Sequence, residues 1–301
     1  MRAALTAMVF VAFSSPASPN CVEIGSYSGR TIYKSNDGLV SFVADVDVNT
    51  DGSPKSYHPD DPGYFASGKL NTHYALNTIC NGATIRRADA TTLYGPGQCA
   101  MLLKEFARLR GLGWSEPRGN YVHWVGVAPK PGSGERRAPC LAPDGYFVSQ
   151  TARALDASAG VCDPAHWPDA LQLSSIVLPL DARMRAAGVR IGDVALVRTP
   201  SGIVSGALFL DTNNTRLGEG SVKLAMSLHG STTAPSSYRG VLALSLPRAE
   251  YFVFPGSYGD IAKLGNQSEG DIQTAAKTRA AQYAVDKRKA CERISARAIL
   301  P

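Results

Sequence analysis

Residues 189–228 read VRIGDVALVRTPSGIVSGALFLDTNNTRLGEGSVKLAMSL. The rest of the chain is organised around this stretch. Ile191 to Val197 is a short apolar run entered through the turn Gly192-Asp193. Thr199-Pro200-Ser201-Gly202 is a turn signal, and Ile203 to Leu210 is a second apolar, β-prone run. Asp211 stands where that run ends, Thr212 to Gly218 is polar, and Glu219 opens a segment whose Val222, Ala225 and Met226 have helical spacing. The pattern predicts two strands, a loop and a helix, with an acid at each edge of the loop. Such a loop can hold two carboxylates across a groove, as hydrolysis of a sugar acetal by a general acid and a general base requires. Turn formation by Asp211 and a favourable helix dipole at Glu219 would explain the same residues without catalysis.

The chain has 301 residues, 44% of them hydrophobic and 19% charged. It can therefore bury a substantial core. The net charge of +6 is mild for this length and forms no Lys/Arg stripe, so no nucleic-acid partner is expected. Residues 1–17 have the features of a signal peptide: Arg2, an apolar run from Ala3 to Phe13, then small residues at Ser15 and Ala17. That run is too short to span a membrane, and no other stretch is long enough. Export is expected. The six cysteines, all downstream of it, then argue for disulfides. Local spacing suggests Cys80–Cys99 and Cys140–Cys162, leaving Cys21–Cys291 to join the ends. No CxxC pair is present, so a zinc site is poorly supported.

Elsewhere, Leu39 to Val48 alternates, placing Val43, Asp45 and Asp47 on one face and Val46 and Val48 on the other. With Asp51 in the turn that follows, these aspartates could bind a cation, hold a cationic sugar or cap an exposed edge. No Glu completes a calcium loop. His58 is the notable residue of the loop SYHPDDPGYFASGK. Gln98 to Leu109 reads as an amphipathic helix. Short strands are expected at Asn120–Ala128, Gly145–Thr151, Ser174–Leu180 and Tyr251–Ser257, with a brief helix over Asp181–Ala187. Ser268 to Ala298 turns to Ala, Lys, Arg, Gln and Glu and predicts a long polar helix. The division expected is a signal peptide over 1–17, a single domain over 18–265 and a helical C-terminal extension over 266–301.

DVDVNTDGSPKSYHPDDP, SSIVLP, GVRIGDVALVRTPSGIVSGALFLDTNNTRLGEGS and AEYFVFPGS occur in that order. In order and spacing they resemble the chitosanases of glycoside hydrolase family 75 and their bacterial relatives, most closely over about 40–58 and 174–257. The resemblance implies a secreted endo-acting enzyme that cleaves β-1,4-linked glucosamine polymers with inversion. It also implies that Asp211 and Glu219 are the two essential acids. Here Leu210 precedes the Asp, and Gly220-Ser221 follows the Glu.

Short strands with Gly-Asp and Pro-Gly turns favour an α+β, mostly β core, and the IGDVALV run resembles a turn of double-psi barrels. A small, partly closed β-barrel of that kind, decorated by helices, is expected. The expected function is a secreted chitosanase-like glycosidase with Asp211 and Glu219 catalytic and Asp45, Asp47, Asp51 and His58 binding substrate. It would act as a monomer on a polysaccharide, without metal or cofactor. A muramidase or lytic transglycosylase acting on peptidoglycan, and a non-catalytic polysaccharide-binding protein, stand as alternatives.

Overall fold

A computed structural model of the chain describes residues 21–61, 72–79, 83–86, 92–93, 104–105, 107–114, 122–132, 138–261 and 268–291. The expected signal peptide and the Cys80–Cys99 pairing lie outside these residues. Of the helix expected over Gln98–Leu109, residues 104, 105 and 107–109 are described and are helical, and the helix continues to residue 111.

The strands are β1 (Cys21–Tyr27), β2 (Arg30–Ser35), β3 (Val40–Asn49), β4 (Ala83–Arg86), β5 (Thr92–Leu93), β6 (Val122–Trp124), β7 (Ser175–Pro179), β8 (Val194–Arg198), β9 (Val204–Asn213), β10 (Glu219–Ser221) and β11 (Leu246–Phe254). The helices are α1 (Ala182–Ala186), α2 (Val222–His229), α3 (Tyr238–Leu242) and α4 (Glu269–Gln282). Six strands close a barrel in the order β3-β10-β7-β9-β8-β11, with β11 pairing back onto β3. The β3–β10 and β7–β9 pairs are parallel and the other four antiparallel. Closure leaves these strands no free edge along their paired lengths. The β1–β2 hairpin extends the sheet beyond β3, and β4–β6 form a separate small sheet in the long insert between β3 and β7. The fold is thus α+β and mostly β, and the expected barrel is fully closed.

The barrel interior is filled by alternate residues. Val40, Phe42, Ala44 and Val46 of β3 pack with Ile176, Leu178, Ala195, Val197, Ala207, Phe209, Tyr251 and Val253. Burial of each large apolar side chain contributes roughly 1.5–3 kcal/mol. The opposite faces of β8, β9 and β11 carry Leu196, Leu208, Leu210, Phe252 and Phe254, which pack under Ile272, Ala275 and Ala276 of α4. Gly206 allows that contact, since a Cβ there would lie 2.6 Å from Ala276 Cβ. Ser268 and Asp271 form a capping box that starts α4.

Three local expectations change. The helix predicted from Ser268 ends at Gln282, because Ala284 turns left-handed (φ 47°) and a short 3₁₀ turn follows over Val285–Lys287. Arg198 then holds the carbonyls of Val285 and Arg288 at 2.9 and 2.6 Å. Gly145–Thr151 forms only isolated bridges, Tyr57 and Leu141 to Phe147 and Val127 to Ser149. Glu219 is a strand residue. The helix begins after Ser221, whose hydroxyl accepts the Leu224 N–H. Two of the expected disulfides are present, Cys21–Cys291 and Cys140–Cys162. Among the described residues no helix is long and apolar enough to cross a membrane.

Candidate active site

Val177 of β7 pairs on one side with Glu219 of β10 and on the other with Asp211 of β9. Glu219 also pairs with Asp47 of β3. Residues opposed across a ladder share a face, so Asp47, Glu219 and Asp211 form one row on the outside of the barrel. A β-bulge aims Asp211 outward. Ile176 pairs with Phe209, but the next residue, Val177, pairs with Asp211 and skips Leu210. By strict alternation Asp211 would follow Ala207 and Phe209 into the apolar barrel, and the extra residue turns it out. The Leu210 carbonyl meanwhile accepts the Arg153 N–H, at 3.1 Å, from the loop that covers this face.

The resulting groove, about 330 Å³, is lined by Asn49, Asp51, Gln150, Ala152, Asp211 and Glu219, with Val177 and others beneath. Asp211 Oδ1 accepts the backbone N–H groups of Ala152 and Thr212 at 2.8 and 2.9 Å. Burial outweighs these bonds, and with the nearby Glu219 charge it pushes the Asp211 carboxyl up to about 6. Burial also raises Glu219, while Asn213, Arg216 and Asn49 favour its charged form. Asn213 Nδ2 donates to it at 3.3 Å and Arg216 Nη1 lies 3.7 Å away. Asp51 is raised most, by burial and then by the Asp211 charge. Its Oδ1 accepts the Tyr57 hydroxyl at 2.6 Å, and Tyr57 Oη accepts from Asn77 Nδ2 at 3.3 Å. Gly126 makes room for this pair, since a Cβ would lie 2.5 Å from Tyr57 Oη and 2.7 Å from Asp51 Oδ1.

The structure therefore brings Asp51, Asp211 and Glu219 together, with Asp47 beside Glu219. Asp51 is half-buried in the groove, bonded by Tyr57 and near the charges of Asp211 and Glu219. Asp47 is paired with Arg216 at 2.7 Å. Asp45 lies on the same face, outside the groove lining, 3.8 Å from Arg30. His58 stands apart: its ring packs between Tyr74 and Tyr146, and Nδ1 accepts the Asp60 N–H. Its role in the structure is to order the insert, and it does not line the groove. Glu219 lies in β10, so the helix dipole expected to favour its charge is replaced by Arg216 and the two asparagines.

Sequence reasoning missed Tyr57, Asn77, Asn213 and Arg216. Arg216 has a readable signal, three residues before Glu219. So does Asn213, whose side chain accepts the N–H groups of Thr215 and Arg216 in an Asx turn. Among the described residues no group of three or more His, Cys, Asp or Glu is arranged to hold a metal ion.

The arrangement suits paired acid–base chemistry. Asp211 and Glu219 flank a single strand, so their Cα atoms are two strand spacings apart, roughly 10 Å. Side chains converging from that distance can reach the separation of about 6.5–9.5 Å that admits a water between two carboxyls. Compared with protein-family models and with curated proteins, the chain matches none.

Proposed function

We propose that this protein is a secreted, inverting endo-glycosidase that hydrolyses a β-1,4-linked glucosamine polymer. The observation that carries the reading is the placement of Asp211 and Glu219 in register on either side of Val177, facing one groove. The ordered motifs that resemble the family 75 chitosanases supply the substrate. The two disulfides are consistent with export.

Asp211, raised to about 6, retains a proton to give to the leaving glycosidic oxygen as its bond to C1 breaks. Glu219, whose rise on burial is opposed by Asn213 and Arg216, acts in its charged form and takes a proton from the water whose oxygen forms the new bond to C1 from the opposite face. Solvent exchange then resets both groups. Activity should accordingly fall as pH rises through about 6.

Purified protein assayed on chitosan tests this. Asp211→Asn and Glu219→Gln should each lower kcat by about 10²- to 10⁴-fold, the usual worth of a positioned acid or base. Wild-type rates in either folded variant would remove the pair. Sugar binding by the wild-type protein without new reducing ends would select the non-catalytic reading instead.

One observation favours a second reading. Arg216 places a cation beside Asp47 and Glu219, which suits a sugar bearing a carboxylate, as in peptidoglycan. Clearing of a cell-wall gel with no clearing of a chitosan gel would select a muramidase or lytic transglycosylase.

A further inference from the structure

We propose that Arg216, which stands outside the groove lining but against its residue Glu219, is a specificity-determining residue. It biases the Glu219 side against a free ammonium, so that an N-acetylated unit is accepted there in preference to glucosamine. The inference rests on the glycosidase reading and narrows its substrate to a partly acetylated polymer.

The geometry is specific. Arg216 Nη2 lies 2.7 Å from Asp47 Oδ2, and Nη1 lies 3.7 Å from Glu219 Oε1. One guanidinium thus spans the two carboxylates at this end of the row. The loop delivers it by design of its backbone: Asn213 Oδ1 accepts the Thr215 and Arg216 N–H groups at 3.1 and 2.9 Å. The same asparagine donates to Glu219. The loop joins β9 to β10, so the residue that sets the charge is carried by the segment connecting the two acids.

A glucosamine ammonium brought to Asp47 or Glu219 would meet this guanidinium. Two like charges about 4 Å apart repel by roughly 1 kcal/mol in water and by more in a partly enclosed groove. Displacing Arg216 instead would give up its bonds to Asp47 and Glu219. An N-acetyl group carries no charge and pays neither penalty. Arg30 reinforces the pattern at Asp45, 3.8 Å away, so two of the three aspartates that the sequence suggested as an ammonium site, Asp45 and Asp47, already have cations of their own.

The test uses the Asp211→Asn protein, which leaves Asp47, Arg216 and Glu219 intact and is expected to bind without turnover. Calorimetry would compare its dissociation constants for the glucosamine tetramer and the N-acetylglucosamine tetramer with those of Asp211→Asn/Arg216→Gln. Removing Arg216 should shift the ratio about fivefold toward the glucosamine tetramer, the scale of one exposed charge interaction. The shift should shrink at high salt. An unchanged ratio would overturn the inference, as would equal weakening of both tetramers, which would make Arg216 a general substrate contact. If neither tetramer binds either protein, the glycosidase reading falls and takes this inference with it. Binding that ignores Arg216 removes the inference alone.

Discussion

At the start of β9, Val204 pairs with Arg198 of β8; near its end, Asp211 pairs with Val177 of β7. Seven residues separate the two places, roughly 23 Å along a strand, and a groove opens at each. The groove beside Arg198 is the larger, about 750 Å³, and is rich in Arg and Lys. Two of its charged residues, Arg198 and Glu250, tie the fold together. Arg198 Nε pairs with Glu250 at 2.7 Å, its other nitrogens hold the Val285 and Arg288 carbonyls, and Glu250 also accepts the Ala290 N–H. At the Asp211 end, three acids share about 330 Å³ and two of them are pushed above the carboxylate range mainly by burial, with the nearby acid charges adding to it. Arg198 and Glu250, each paired, fix the fold at one end, and the raised carboxyls carry the proposed chemistry at the other. Cavity size alone points to the other groove from the one the paired acids point to.

The largest effect should come from breaking the satisfied end. Arg198→Met leaves the Glu250 carboxylate without its cation and frees the segment after α4. A loss of about 3–5 kcal/mol is expected, read by urea unfolding, with oligosaccharide affinity unchanged at 25 °C. Lost affinity at unchanged stability would reverse the roles of the two grooves.

Asp211→Asn should act in the opposite direction. Burial pushes the folded Asp211 carboxyl up to about 6, from an ordinary value near 3.8. Because the folded value is the higher, the native state holds the proton more tightly. The stability this contributes is fully present below about pH 4 and is lost as pH rises through about 6. At pH 7 the wild type therefore carries the full penalty of a buried charge, and the asparagine variant should be more stable by on the order of 2 kcal/mol. The gain should disappear near pH 4. A variant less stable than wild type at pH 7 would show that Asp211 is structural.

The smallest effect belongs to Asp45→Asn. Its pair with Arg30 is 3.8 Å long and both side chains are well exposed, so the change in stability should stay within about 0.5 kcal/mol and the rate on chitosan should hold.

Much of the barrel was legible because its strands announce themselves locally. The alternation in β3, the apolar runs of β7, β8 and β9, and the Asp181 cap of α1 all depend on near neighbours. Asp211 and Glu219 were legible as residues, and their geometry was not. The bulge at Leu210 is a property of the β7–β9 pairing, and no pattern within β9 reports it. β10 is three residues long, too short for a period, so the helical spacing of Val222, Ala225 and Met226 absorbed Glu219. Asp51 looked like a turn residue because its surroundings include Gly126 and Ser149, distant in sequence, as well as Tyr57, six residues on. His58 drew notice for its chemistry, and its surroundings turned out to be two tyrosine rings.

Cys21 and Cys291 are 270 residues apart, so the bond between them makes nearly the whole described chain one covalent ring. Cross-linking so long a loop lowers unfolded-state entropy by about 5 kcal/mol in the chain-entropy model. A single protease cut in the insert between β3 and β7 would open the ring without releasing a fragment. β3 would remain tied to β10 and β11, the two barrel strands it pairs with, and the barrel could reassemble as an intramolecular event, independent of concentration. Such a nicked molecule would run as one species until its disulfides are reduced, and as two pieces afterwards.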